Sequence, residues 1–248
     1  MTNLKNISTN ISSELILELI SYIDLTSLKK EDSKVTIQKL ITSANQGYLN
    51  HYPAAVCVFS KFGKQVSDHL THNIKTAVVC SNFPHGQSPN NVETFELREL
   101  NNSKIDEIDI INRAQTDETK KIITLLHNKT VKTILETGHL NDIEIKASAE
   151  SAIKAGSHFI KTSTGTTTGY TPNALKIMCT VIKNHFETTG IKVGIKPSGG
   201  IRSLNQAIEI HTVITNVLGK TWLTPRLFRI GASSLYTNLI NEHKTRFT

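Results

Sequence analysis

Residues 132–164, KTILETGHLNDIEIKASAESAIKAGSHFIKTST, contain a strand, a helix and a second strand in succession. We predict the strands at 132–138 and 158–164, because both runs are rich in apolar and β-branched residues. Between them, Asn141, with Glu144 three residues on, resembles the N-terminal cap of a helix. Two strands joined through a helix lie parallel in one sheet, so this unit predicts a parallel α/β fold.

The same alternation continues in both directions along the chain. Runs with apolar centres predict eight strands, at SYIDLT (21–26), AAVCVF (54–59), KTAVVCSN (75–82), EIDIIN (107–112), KTILETG (132–138), HFIKTST (158–164), KVGIKPSG (192–199) and RLFRIGAS (226–233). Helix-start signals lie between them, at Ser33, Ser88, Thr171 and Ser203. No linker interrupts the pattern, and no glycine-rich turn of the dinucleotide-binding type follows an early strand. We therefore expect one α/β domain over residues 1–248, a (β/α)8 TIM barrel with residues 1–20 as a short N-terminal helical extension.

The composition is typical of a globular protein that needs no covalent or metal staples. Of the 248 residues, 38% are hydrophobic and 20% charged, which is enough apolar sequence for a large core. The three cysteines, Cys57, Cys80 and Cys179, have no C-x-x-C spacing, so we expect buried thiols rather than disulfides or a zinc site. No cluster of histidine and acidic residues has metal-ligand spacing, and we expect no metal and no other cofactor.

The distribution of charge and apolar sequence limits the partners. The net charge of +7 is dispersed along the chain, which favours small anionic substrates over nucleic acid. The N-terminal MTNLKNISTNISSELILELI lacks the continuous apolar segment and cleavage site of a signal peptide, and no run is long enough to cross a membrane. We expect a cytoplasmic protein that binds neither nucleic acid nor membranes.

Two lysines stand inside apolar strands, Lys161 in FIKTSTG (159–165) and Lys196 in GIKPSGG (194–200). One lysine at a strand end commonly extends its amine to solvent, but two on neighbouring strands favour a reactive site. Burial and a second nearby ammonium both lower the pKa of a lysine amine, which increases the nucleophilic fraction. Each lysine is therefore expected to act as the perturbing charge of the other.

Asp109, inside the fourth predicted strand, supplies the acid or base that a carbonyl–amine reaction needs. The alternative is a buried aspartate that forms an ion pair with Lys161 or Lys196, which does not exclude catalysis. Other strand-end residues are candidates for a supporting role, namely Asp24, Thr26, Cys57 and Lys132. We interpret His85 and Glu136 as structural and expect Glu136 to pair with Lys132 or Lys161.

A phosphate site is indicated by the loops after the last predicted strands. In barrel enzymes, phosphate is often held by backbone N–H groups after strands seven and eight and by a helix N-terminus. Gly199 and Gly200 permit close backbone approach, Ser233 and Ser234 offer hydroxyl groups, and Gly165 offers a further N–H. Each of these residues also fits an ordinary turn or cap.

Together these segments resemble the deoxyribose-phosphate aldolase family. The matching segments occur in the family's order, at YIDLTSL (22–28), AAVCVF (54–59), SNFPHG (81–86), DEIDI (106–110), ILETGHL (134–140), FIKTSTG (159–165), GIKPSGG (194–200) and FRIGASSL (228–235). The resemblance implies a class I aldolase, a lyase that reversibly cleaves 2-deoxy-D-ribose 5-phosphate to acetaldehyde and D-glyceraldehyde 3-phosphate in deoxyribonucleotide catabolism. It also implies a homodimer without cofactor or metal.

The resemblance also assigns roles to residues. It implies that Lys161 forms a Schiff base and that Asp109 and Lys196 transfer protons. The positions that hold the phosphate are Gly199, Gly200, Ser233 and Ser234.

Three segments depart from the family pattern. The stretch between Asp109 and Lys132 is short, Thr166 follows STG where some members have a lysine, and the C-terminal HKTRFT lacks a terminal tyrosine. Two alternatives stay open. One is a Schiff-base aldolase with a different acceptor, and the other is a catalytically silent barrel that binds a sugar phosphate.

Overall fold

The computed structural model describes residues 11–166 and 169–247. The strands are β1 (Ile23–Thr26), β2 (Ala55–Phe59), β3 (Lys75–Val79), β4 (Glu107–Ile111), β5 (Thr130–Ile134), β6 (Phe159–Lys161), β7 (Gly194–Lys196) and β8 (Ile230–Ala232). The α-helices are α1 (Ser13–Ser21), α2 (Lys34–Gln46), α3 (Ser60–His69), α4 (Asn90–Asn101), α5 (Thr116–Leu125), α6 (Asp142–Lys154), α7 (Pro172–Thr189), α8 (Leu204–Leu218) and α9 (Leu235–Phe247).

The strands form one parallel sheet that closes on itself. Its order is β7-β6-β5-β4-β3-β2-β1-β8. Two isolated parallel bridges, Ile195–Phe228 and Ser198–Gly231, join the remaining edges of β7 and β8. The predicted (β/α)8 barrel is therefore confirmed.

The helix-start signals mark real helix ends. Ser33, Asn141 and Ser203 each form a capping box at the start of α2, α6 and α8, because the side chain three residues on bonds back to the cap. Thr171 caps α7, with proline at the first helical position. The exception is α4, where Pro89 rather than Ser88 occupies the cap and no side chain bonds the helix N-terminus.

Several strands are shorter than the apolar runs that predict them. The run at 21–26 begins as a strand only at Ile23, because Ser21 still belongs to α1. The run at 192–199 is a strand for Gly194–Lys196 alone, and the run at 226–233 only for Ile230–Ala232. The sequence runs continue past the last regular pairing, into segments that form the C-terminal loops of the barrel.

The predicted N-terminal extension is helical in its second half. Helix α1 occupies Ser13–Ser21 and packs beside α9, while residues 1–10 of the extension lie outside the described residues. None of the helices in the described part combines the length and apolar composition that a membrane span requires.

Candidate active site

Lys161, Lys196 and Asp109 meet inside the barrel. The Nζ atom of Lys161 lies 2.7 Å from Oδ2 of Asp109, and the Nζ atom of Lys196 lies 2.8 Å from the same oxygen. All three are buried, at 2%, 0% and 0% exposure respectively. Lys161 stands opposite Lys196 in the pairing of β6 with β7, so the sheet register places the two amines side by side. One carboxylate can therefore exchange protons with both amines.

A second group of charges, which we call the charged floor, lies nearer the N-terminal ends of the strands. It consists of Asp24, Glu107, Lys132 and Arg229, all of them buried. The Arg229 guanidinium donates to Asp24 Oδ1 at 2.6 Å and to Glu107 Oε1 at 2.7 Å. Lys132 forms an ion pair with Glu107 and lies 3.3 Å from Asp24. Every member of the floor thus has an oppositely charged neighbour, as buried ions require.

Asp24 connects the floor with Lys196. Its Oδ2 atom lies 2.5 Å from Nζ of Lys196, which also contacts Asp109. Among the described residues, the interior cluster contains three carboxylates and four basic groups, namely Asp24, Glu107, Asp109, Lys132, Lys161, Lys196 and Arg229. The cluster has no net charge when one of its three lysine amines is uncharged.

The ion pairs set the charge states of Asp109 and Lys196. Burial alone would raise the pKa of Asp109, but the ammonium groups of Lys161, Lys196 and Lys132 outweigh it and hold that pKa below its ordinary value. Burial would lower the pKa of Lys196, but the carboxylates of Asp109 and Asp24 outweigh it and raise that pKa. Both groups are therefore charged at neutral pH.

A cleft of about 180 Å³ lies over Lys161 at the C-terminal ends of the strands. Six of the residues that the sequence singles out line it, namely Thr26, Lys161, Gly165, Gly199, Gly200 and Ser233. The cleft therefore connects Lys161, the lysine among its lining residues, with the loops that were predicted to hold phosphate.

The loop after β7 has the backbone geometry of an anion site. Gly199 and Gly200 both have positive φ, at 90° and 77°. A Cβ atom on Gly199 would lie 2.4 Å from Oγ of Ser163, so no other residue fits there without displacing the neighbouring loop. Among the described residues, the N–H groups of Gly199, Gly200 and Ile201 donate to no other part of the chain. Consecutive free N–H groups of this kind bind anions.

Hydroxyl side chains fasten this loop to the loop after β6. The Oγ1 of Thr162 accepts from the N–H of Ser198 at 2.8 Å and donates to its carbonyl at 2.9 Å. The Oγ of Ser198 donates in turn to the carbonyl of Ser163 at 2.6 Å. The loops that follow β6 and β7, the strands of Lys161 and Lys196, are therefore held at a fixed separation beside the cleft.

The family model for DeoC/LacD family aldolases matches residues 18–215 of this chain. This chain belongs to the DeoC/LacD aldolase family. Human and mouse deoxyribose-phosphate aldolases are each 34% identical to it, over 90% of this chain and 79% of theirs. A solved structure described as QR15, an aldolase, is 27% identical to this chain, with a TM-score of 0.73. The match covers 92% of this chain and 96% of that one.

A further solved structure supports the fold alone. The deoxyribose phosphate aldolase of Aeropyrum pernix, whose structure is described as tetrameric, is 22% identical with a TM-score of 0.72, over 95% of this chain and 99% of that one. As a member of the family, the protein is a class I aldolase, a lyase that acts on carbon–carbon bonds through a Schiff base.

Ser233 lines the cleft of the aldolase, and Ser234 stands between it and α9, which begins at Leu235. The prediction for Glu136 is wrong. Lys132 pairs with Glu107 in the floor, while Glu136, which we expected beside Lys132 or Lys161, accepts a hydrogen bond from the N–H of Thr164.

Cys57 of the aldolase, a candidate for a supporting role, does not line the cleft. It is buried in an apolar group with Ala55, Ala77 and Val79 on β2 and β3. Burial is the main cause of a raised pKa for its thiol, so the thiol stays protonated at neutral pH.

Three functional candidates were not recognised in the sequence of the aldolase. Glu107 and Arg229 complete the floor, and the signal for Glu107 was its position two residues before Asp109 on one strand, which puts both side chains on the same face. Arg202 lines the cleft in the segment GGIR, and the arginine ion pairs among the described residues are those of Arg113, Arg229 and Arg246 rather than of Arg202. Its signal was a cation directly after the paired glycines.

The described residues contain no group of three or more histidine, cysteine, aspartate or glutamate side chains that could hold a metal ion. The acidic residues of the interior are instead engaged by lysine and arginine, as the ion pairs above describe.

Proposed function

We propose that the aldolase reversibly cleaves 2-deoxy-D-ribose 5-phosphate to acetaldehyde and D-glyceraldehyde 3-phosphate, with Lys161 as the Schiff-base lysine. The contact of Lys161 and Lys196 with the same oxygen of Asp109, at the base of a cleft, carries the proposal. Lys161 borders the cleft, whereas Lys196 and Lys132 are fully buried and paired with two or more carboxylates. Lys161 is therefore the amine that a substrate can reach.

The first stage joins the substrate to Lys161. Its uncharged Nζ attacks the C1 aldehyde carbon of the open-chain sugar, and the oxygen takes a proton to give a carbinolamine. A second proton transfer releases that oxygen as water and leaves a protonated Schiff base. Asp109 lies 2.7 Å from Nζ and accepts the proton that the attacking amine loses, and Lys196 resupplies protons through the shared oxygen.

The second stage breaks the C2–C3 bond. A base removes the proton of the C3 hydroxyl, the C3 oxygen becomes the aldehyde of glyceraldehyde 3-phosphate, and the bonding electrons move onto C2 to form an enamine. Protonation at C2 and hydrolysis then release acetaldehyde and the free lysine. The same residues run the sequence in reverse for condensation. The Asp109–Lys196 pair supplies both the base and the acid, because the Asp109 carboxylate can accept a proton and the Lys196 ammonium, 2.8 Å from it, can return one.

The phosphate is proposed to bind at the loops after β6, β7 and β8. The free N–H groups of Gly199, Gly200 and Ile201 are its expected donors, with Ser233 and Gly165 on the neighbouring loops. Arg202 adds the positive charge that the sequence of the STG loop does not supply, since Thr166 follows it. The names of the human and mouse relatives, deoxyribose-phosphate aldolase, support the same substrate.

Borohydride trapping tests the proposal. Reduction in the presence of acetaldehyde should leave an ethyl group on Lys161, located by peptide mass mapping, and Lys161→Leu should abolish it. The matched control is Lys176→Leu, which removes an exposed lysine of α7 and should keep the adduct. An unmodified Lys161 in the active wild-type chain would refute the mechanism.

Cleavage assays with two sugars separate the remaining alternatives. Deoxyribose 5-phosphate should be cleaved far better than deoxyribose. Equal rates would favour a Schiff-base aldolase with a different acceptor, and binding without cleavage or adduct would favour a silent sugar-phosphate barrel.

Further features of the proposal concern the molecule as a whole. We propose one domain over residues 1–248, a homodimer and a cytoplasmic location, and no requirement for a cofactor. Sedimentation, cell fractionation and activity after treatment with a chelator measure the last three.

A further inference from the structure

We propose that Glu136 is a positioning residue for the phosphate end of the substrate, acting by holding the loop after β6 (residues 162–166) in place. The inference rests on the proposed function, and extends it to a side chain that the sequence marks only as structural. Glu136 follows β5 at the rim of the barrel, next to the strand that carries Lys161.

The backbone at Glu136 departs from regular parallel pairing, and this departure directs its side chain toward the loop after β6. The N–H of Leu135 donates to the carbonyl of Lys161 at 2.9 Å, as in regular parallel pairing. The next donor, the N–H of Thr137, would regularly reach residue 163 but donates to Thr162 at 2.8 Å. Two residues beyond β5 therefore oppose one residue beyond β6, so Glu136 is the extra residue of a β-bulge. Bulges at the rims of barrels change the direction of a side chain.

Glu136 also has left-handed backbone angles, φ 57° and ψ 52°. A residue other than glycine or asparagine adopts this conformation only at an energetic cost, and such strain persists where the surroundings impose it. Glycine or asparagine would fit the backbone better, so the glutamate contributes through its side chain rather than through its conformation.

The side chain contacts the loop that borders the cleft. The Oε2 and Oε1 atoms accept from the N–H of Thr164 at 3.2 and 3.4 Å. The two residues that follow, Gly165 and Thr166, line the cleft on its β6 side. The carboxylate thus fixes the loop one residue before the position that was predicted to meet the phosphate. Among the described residues, the ion pair of Lys161 is with Asp109 rather than with Glu136.

The test compares variants that separate backbone fit from the carboxylate. Glu136→Asn and Glu136→Gly suit the left-handed backbone but cannot hold Thr164, and Glu136→Gln keeps an acceptor of the same length. The Asn and Gly variants should lose about tenfold in kcat/KM for deoxyribose 5-phosphate, mainly through KM. Their kcat/KM for deoxyribose and their rate of acetaldehyde trapping should change by less than about twofold, and Gln should restore most of the loss.

The outcomes are distinct. An unchanged ratio of kcat/KM between the two sugars in the Asn and Gly variants would overturn the proposal, and so would a parallel loss of acetaldehyde trapping, which would mean that Glu136 acts on Lys161 itself. Calorimetric titration with inorganic phosphate keeps this inference separable from the proposed function. Weaker phosphate binding by Glu136→Asn than by wild type supports it even if the wild type proves unable to cleave the sugar, and equal binding contradicts it.

Discussion

The two halves of the barrel interior have opposite character. Strands β2 and β3 contribute Ala55, Cys57, Ala77 and Val79, which form a small apolar group. The inward residues of β1 and β4–β7 include Asp24, Asp109, Lys132, Lys161 and Lys196, which form ion pairs across the interior. Buried ion pairs are often no more stabilising than well-packed apolar residues of the same size, so stability alone does not explain why the interior carries these charges. The proposed chemistry explains them better.

The comparison also shows why Lys161 differs from the other lysines. In the charged half, Lys132 and Lys196 each contact two or more carboxylates, whereas the ion pair of Lys161 in the described residues is with Asp109 alone. Lys161 is also the one of the three that borders the cleft. Access to the cleft and a single shared counter-ion therefore distinguish Lys161 from the two fully buried lysines.

The strongest test of the charged half removes its arginine. Arg229→Met should lower the free energy of unfolding by about 3–5 kcal/mol, because Asp24 and Glu107 lose their bidentate partner while they stay buried. Chemical denaturation measures the loss. Adding Glu107→Gln should recover part of it, and a double variant no more stable than Arg229→Met would show that the two residues are not coupled.

Removing Lys196 sharpens the distinction between the lysines. In Lys196→Leu, Asp109 loses the ammonium group of Lys196 as a counter-ion. Its carboxylate then attracts the protonated form of Lys161 more strongly. Acetaldehyde trapping at neutral pH should slow by about a hundredfold and recover as the pH is raised. Trapping rates from pH 6 to 10 give the profile, and one identical to wild type would mean that Lys196 does not influence the amine of Lys161.

Acid stability should depend on the charged half. The pKa values of Asp24 and Asp109 are held below the ordinary value, because nearby lysine and arginine groups outweigh the effect of burial. Their stabilisation is complete above the ordinary carboxyl pKa and is lost as the pH falls toward the lower folded values. The free energy of unfolding should therefore fall below about pH 4. The free energy of unfolding of Asp109→Asn should fall less steeply with decreasing pH than that of wild type. The control Asp117→Asn, which changes an exposed residue of α5, should show the same pH dependence as wild type.

The apolar half should tolerate change with the smallest effect. Val79→Ala removes two methyl groups from a buried position and should cost about 1–2 kcal/mol of unfolding free energy. The kcat should stay within about twofold of wild type, since no ion pair changes. A large loss of kcat in a stably folded Val79→Ala would show that the two halves are not separable.

Sequence patterns located most of the barrel and the reactive trio. The helix-start residues Ser33, Asn141 and Ser203 cap real helices, because a cap acts over three residues, a range within which the sequence determines the contact. Lys161 and Lys196 were recognisable because a charged residue inside an apolar run is unusual.

The strand ends were harder to predict. Gly194–Lys196 and Ile230–Ala232 stop short of their apolar runs, because parallel pairing ends where hydroxyl side chains and isolated bridges take over the contacts between the loops. Those contacts join residues far apart in the chain.

By itself the sequence determined the order of strands and helices, their caps, and the presence of two lysines and an aspartate in apolar strands. Only the tertiary structure decided which charges meet, because that depends on barrel closure and sheet register. It placed Arg229 against Glu107, 122 positions away along the chain. It also placed Arg202 in the cleft and turned Glu136 toward Thr164 rather than toward a lysine. The local alternation of residues along a strand determines which face of the sheet a side chain occupies. Closure of the barrel determines which residues of the other strands that side chain contacts.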